Sequence, residues 1–158
     1  MKTRIIVDST ADLMPEYKER VQVVPLTVHF GDHEYIDGVT IDHKTFYEKL
    51  VESDVLPTTS QATPDAFMKE FDKVKEAGEA AVVITISSKL SGTYQSATIA
   101  ASEYDNIYIV DSGTAAPRHP HTNPRPLTTD LRNLVFQGIS VISLGSHLLA
   151  SQNCMLAC

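Results

Sequence analysis

Residues 80–86 read AAVVITI, an unbroken apolar and β-branched run in which no polar position alternates. Such a run, entered after a glycine and left through a polar loop, marks a strand buried on both faces, as strands of parallel sheets are. Thr3 to Val7 (TRIIV) repeats the pattern and ends at Asp8. Asn106 to Val110 reads as a third such strand, ending at Asp111-Ser112-Gly113.

The segments between them carry helical signals. Leu13 to Arg20 reads as a short helix after the polar loop Asp8-Ser9-Thr10-Ala11-Asp12. Asp42 caps a helix over His43 to Ser53, with Phe46, Tyr47, Leu50 and Val51 at helical spacing. Thr63-Pro64 opens another, which carries Phe67, Met68, Phe71 and Val74 and stops at Gly78. Tyr94 to Tyr104 is a fourth, rich in Ala and Ser. Gln22 to Phe30 reads as one strand, with Pro25 marking an edge or a bulge. Gly31-Asp32 turns it into a hairpin arm at His33 to Ile36, while Pro57 to Gln61 reads as an extended polar loop. This order predicts an α/β domain with a mainly parallel sheet flanked by helices.

Composition excludes some functions. A net charge of −7 argues against a nucleic-acid partner, which needs a cationic footprint. No apolar run reaches the roughly 18 residues of a membrane span, and the N-terminus meets Asp8 before a signal-peptide core can develop, so a cytoplasmic location is expected. The two cysteines, Cys154 and Cys158, are too few for a disulfide scaffold. Composition also shifts along the chain. All but one of the 20 acidic residues precede residue 117, and the segment 117–158 contains no Lys and no Glu. A boundary near residue 116 follows, with an α/β domain over 1–116 and an atypical tail over 117–158.

In open α/β sheets ligands bind beyond the carboxyl ends of the strands. The loops there are rich in hydroxyls and small residues. The sharpest is Ser87-Ser88-Lys89-Leu90-Ser91-Gly92-Thr93, which runs from a strand into a helix. Free N–H groups at the helix start, with the Ser91 hydroxyl, suit an anion, and Gly92 permits close backbone approach. Helix capping by Ser91 is the plain alternative. Thr59 and Ser60 have the same two readings, as caps or as ligand donors. Asp8 and Asp111 read as acceptors of loop hydrogen bonds rather than metal ligands. His29, His33 and His43 read as surface residues, because their spacing fits no standard metal site. No Gly-x-Ser-x-Gly elbow, Walker A or Gly-x-Gly-x-x-Gly motif occurs. An enzyme using the Ser88–Ser91 loop on an acyl or phosphorylated substrate remains an alternative function.

Taken together, Ile6-Val7-Asp8-Ser9-Thr10-Ala11-Asp12-Leu13, Val24-Pro25-Leu26, Tyr35-Ile36-Asp37-Gly38, Thr58-Thr59-Ser60-Gln61 with Pro64, Ile86 through Ala97, and Val110-Asp111-Ser112 resemble the DegV family in the order they stand. The resemblance covers about residues 3 to 116. It implies binding of long-chain fatty acids such as palmitate, a role in lipid transport or fatty acid metabolism, and no catalysis by this chain. It places Thr59 and Ser91 on the fatty-acid carboxylate, with Ser60, Gly92 and Thr93 as neighbours. It implies no cofactor beyond the bound acid, no metal, and an ATP-binding fatty acid kinase subunit as a partner. A family member continues into a second domain that covers the acyl chain. Here the resemblance stops after Ala116, as though a shift of reading frame had replaced that domain, with a genuine short variant as the alternative. An acyl chain left half covered predicts weak binding, at about 0.8 kcal/mol per methylene.

Overall fold

The apolar run lies at the heart of the larger of two sheets. A computed structural model describes residues 2–11, 13 and 15–113. The expectations for the tail 117–158, including Cys154 and Cys158, lie outside the described residues, as does Asp12.

Strand β1 (Thr3–Asp8) is followed by the single-turn helix α1 (Pro15–Lys18) and by β2 (Gln22–Val24), which pairs parallel with β1. Strand β3 (Thr27–Phe30) and strand β4 (His33–Ile36) form an antiparallel hairpin. Then come helix α2 (His43–Glu52), strand β5 (Thr58–Ser60), helix α3 (Pro64–Glu76), strand β6 (Ala80–Thr85), helix α4 (Thr93–Ala101) and strand β7 (Ile107–Asp111). One sheet is parallel, in the order β2-β1-β6-β7. The other is antiparallel, in the order β4-β3-β5.

All six residues of β6 are buried, as its composition requires. Its neighbours β1 and β7 align Ile6 and Ile109 with Val83. Ile6, Ala81, Val83 and Ile107 share one core with Phe67, Phe71 and Val74 of α3 and Ala97 and Ala100 of α4. The small residues of α4 let its axis come close to the sheet. Phe71 has no exposed surface and meets Phe67 and Tyr104 at ring distances of 5.9 and 5.5 Å. Tyr104 donates to Asp72 Oδ1 at 2.6 Å, and that bond to a carboxylate, helped by burial, raises its pKa to about 12.

Three readings of the sequence need correction. Gln22 to Phe30 is not one strand. Pro25 lacks the N–H a ladder needs, and the chain breaks there, so that β2 joins one sheet and β3 the other. Residues 58–60 are not a loop but strand β5, paired with β3 through Val28↔Thr59. The hairpin follows its turn chemistry, with Gly31 at φ 58° as the first residue of a two-residue turn. The helical reading over 13–20 shrinks to Pro15–Lys18. Asp42 and Thr63 cap α2 and α3, accepting from Thr45 N and Ala66 N, and Gly78 ends α3 at φ 63°.

The antiparallel sheet has its own small core of Val28, Phe30 and Ile41, with Tyr35, Phe46 and Leu50 packed against it. Helix α2 buries no residue fully, and Tyr47 and Val51 face outward.

Candidate functional site

The loops that leave β1, β6 and β7 gather at the carboxyl end of the parallel sheet, where one buried carboxylate, Asp8, and one exposed carboxylate, Asp111, bond to them. Asp8 is 1% exposed. Its Oδ1 accepts from Thr10 N at 3.0 Å and from the Thr10 hydroxyl, and its Oδ2 accepts from Ile86 N at 2.6 Å. Its role is therefore to tie the β1 exit to the β6 exit. Asp111 acts similarly for β7. It accepts from Ser88 Oγ at 2.6 Å, Ser88 N at 3.2 Å and Gly113 N at 2.9 Å. The Ser88 hydroxyl, then the Gly113 amide, hold its carboxyl below the ordinary value.

These ties shape the Ser87–Thr93 segment. Leu90 N and Ser91 N both donate to Ser87 O, at 2.9 and 3.2 Å, which closes a turn before α4. Ser91 Oγ accepts from Thr93 N at 3.3 Å and lies 3.0 Å from Thr93 Oγ1. Ser91 thus does part of a cap's work while its hydroxyl stays half-buried at the helix entrance. The first-turn N–H groups there have no acceptor within the helix.

Across from this loop stands the antiparallel sheet. Between the two lies a cleft of about 360 Å³, at the small end of the ligand-site range. Thr10, Ile86, Leu90, Ser91 and Gly92 line it from the parallel sheet. Val28, Asp37, Thr59 and Gln61 line it from the other side, with Leu26 on the segment between the sheets. Hydroxyls thus stand beside apolar side chains, which is what an amphiphile with an anionic end needs.

Of the residues singled out in the sequence, Thr59, Ser91 and Gly92 line this cleft together. Ser60 and Thr93 do not. Alternation along β5 turns Ser60 to the opposite face, where its hydroxyl lies 2.8 Å from His29 Nε2. Thr93 is fully buried against Ser91. His29 also lies 3.6 Å from Glu34, so its surroundings are an exposed polar cluster. Among the described residues no group of His, Cys, Asp and Glu is placed to hold a metal ion, and no helix is long and apolar enough to cross a membrane.

Sequence reasoning assigned no role to Thr10, Leu26, Val28, Asp37 or Gln61. Asp37 was legible only as part of an Asp-Gly turn. Its backbone N–H donates to Leu26 O at 3.0 Å, which joins two residues of the cleft lining.

The described residues thus form an α/β domain whose hydroxyl-rich loops face a cleft lined by polar and apolar residues in similar measure. Residues 2–119 match the family model described as "Uncharacterised protein, DegV family". The chain belongs to the DegV family. A DegV domain-containing protein of Clostridium perfringens is 41% identical over 115 residues, which are 70% of this chain and 41% of that protein. A fatty acid-binding protein of Thermotoga maritima is 37% identical over 126 residues, 76% of this chain and 44% of its own length. Among solved structures, a stearic acid-binding protein from Eubacterium ventriosum superposes with a TM-score of 0.65 and 35% identity, covering 72% of this chain and 42% of the other. The chain thus spans about two fifths to one half of the length of the relatives it matches.

Proposed function

We propose that this chain binds a long-chain fatty acid by its carboxylate and holds it without transforming it. The observation that carries the reading is the meeting of Thr59 and Ser91 on one cleft beside the entrance to α4. Two hydroxyl donors and a helix N-terminus favour a carboxylate. Leu26, Val28, Ile86 and Leu90 on the same cleft suit the first methylenes of an acyl chain. Relatives that bear the name of fatty-acid-binding proteins support the same assignment. The absence of catalysis fits the bonding of Ser91, whose hydroxyl pairs with Thr93 rather than with a base.

In this reading residues 1–116 form the head-group domain, and an ATP-binding kinase subunit receives the bound acid in the cytoplasm. The acyl chain needs more wall than this cleft offers. Affinity for palmitate is therefore expected to grow with the wall that covers the methylenes beyond this cleft, by about 0.8 kcal/mol for each one buried.

The test is titration of delipidated protein with palmitate, followed by native mass spectrometry. Ser91→Ala and Thr59→Ala should each weaken binding by roughly tenfold or more, the worth of a hydrogen bond to a charged group. Unchanged affinity in both variants would sink the assignment.

A further inference from the structure

Gly92 stands where glycine is not needed for the backbone. Its φ of −75° and ψ of 2° are open to any residue. Space is what the position requires. A Cβ added at Gly92 would overlap Gln61 Oε1 and lie 2.7 Å from Gln61 Cδ. The amide of Gln61 therefore rests against the bare α-carbon of Gly92.

The other end of that amide is tied down. Gln61 Nε2 donates to Ser96 Oγ at 2.9 Å. Ser96 is 2% exposed, and its own N–H donates to Gly92 O at 2.9 Å as part of the first turn of α4. Gln61 follows directly on β5 and comes two residues after Thr59, while Gly92 follows Ser91. One side chain thus clamps the segment that carries Thr59 to the helix turn that carries Ser91. Thr59 lies on a strand of the antiparallel sheet, whereas Ser91 lies in the loop that leaves β6 of the parallel sheet.

We infer that Gln61 is a positioning residue: seated on Gly92 and bonded to Ser96, it sets the separation of the Thr59 and Ser91 hydroxyls and so the width of the carboxylate site. The inference rests on the fatty-acid reading above. It assigns the missing side chain at position 92 to the approach of Gln61 rather than to that of a ligand.

A specific non-additivity follows. In Gly92→Ala the new methyl displaces the Gln61 amide, so this variant should bind as Gln61→Ala does. Once residue 61 is alanine, the methyl at position 92 has room, and the double variant should bind no worse than Gln61→Ala alone.

The experiment uses the full chain and decanoate labelled with carbon-13 at the carboxyl, titrated by NMR, with thermal melts recorded without ligand. Gln61→Ala and Gly92→Ala should each weaken binding by about three- to tenfold, the worth of one hydrogen bond. Both should melt within a few degrees of the parent, since the change costs at most one part-buried hydrogen bond. Ser96→Ala removes the anchor without touching the cleft and should weaken binding in the same direction. Losses that multiply in the double variant overturn the inference, as do losses that merely follow a lowered melting temperature. Full affinity in Ser96→Ala also overturns it, because Gln61 would then act on the ligand directly. If the parent binds and every variant matches it, the positioning role alone has failed. If the parent does not perturb the carboxyl resonance at all, the fatty-acid reading has failed and takes the inference with it.

Discussion

All six residues of β6 are buried and all three of β5 are exposed, yet these two strands deliver opposite walls of one cleft. The parallel sheet draws Phe67, Phe71 and Val74 down onto it and leaves none of them any exposed surface. The antiparallel sheet rests on Val28, Phe30 and Ile41, and its helix α2 is fully buried at no position. Stability resides on one side, and on the other a lightly packed arm carries Thr59. A site built this way has one fixed jaw and one that opens at low cost.

The sharpest way to break this comparison is to cut an aromatic from each core. Phe71→Ala should cost about 4 kcal/mol and lower the midpoint of urea unfolding for the whole domain. Phe30→Ala should cost about 3 kcal/mol, with the effect confined to the small core where its ring meets Tyr35 and Phe46. Amide hydrogen exchange checks the difference. In Phe30→Ala, exchange should quicken over β3, β4 and α2 while β1 and β6 stay protected. Equal loss of protection in both sheets would mean that the domain has a single cooperative core.

A smaller effect is expected at the cap of α2. Asp42 accepts from Thr45 N at 2.7 Å, and this bond keeps its carboxyl below the ordinary value. Asp42→Ala should speed exchange over residues 45–52 and leave the global unfolding midpoint in place. A fall in that midpoint would show that α2 is bound into the main core after all.

The smallest effect lies on the fixed jaw. Asp111 is a carboxyl whose folded pKa is depressed, so its contribution is present above the ordinary value of 3.8 and is lost as pH falls through the folded pKa. Ser88→Ala removes the main cause and should move the Asp111 titration upward, as carbon-detected NMR of the carboxyl would record. The parent and the variant should differ in melting temperature at neutral pH and converge in acid. Divergence toward acid would reverse the sign of the argument.

The same contrast explains what the sequence could reveal. AAVVITI and TRIIV announce buried parallel strands because burial on both faces forbids polar alternation. Helix α3 was legible from Thr63-Pro64 to Gly78 because caps and an apolar stripe agree. Strand β5 was not, since Thr58-Thr59-Ser60 has no apolar residue to show it and pairs only because β3 offers a free edge. Pro25 signalled an interruption but not that the chain would change sheets there. At the candidate site, Ser91 was legible as a loop residue beside a helix start, whereas Thr59, read as a loop residue, stands on β5. Gln61 was hidden, because its partners Gly92 and Ser96 lie more than 30 positions away and only tertiary structure brings them together.

The bond from Ile86 N to Asp8 also has a consequence in time. Its two residues stand 78 positions apart. During synthesis the β3–β4 hairpin can close as soon as its short turn is made, but β1 must wait for β6 before its inner edge is paired. Through that interval Asp8 remains hydrated, a polar group at the end of an apolar strand with its bond to Ile86 not yet made. Contacts of such long sequence separation form late and slow a chain's folding. The residue that later locks the floor of the cleft thus helps, in the nascent chain, to keep an unpaired strand in solution.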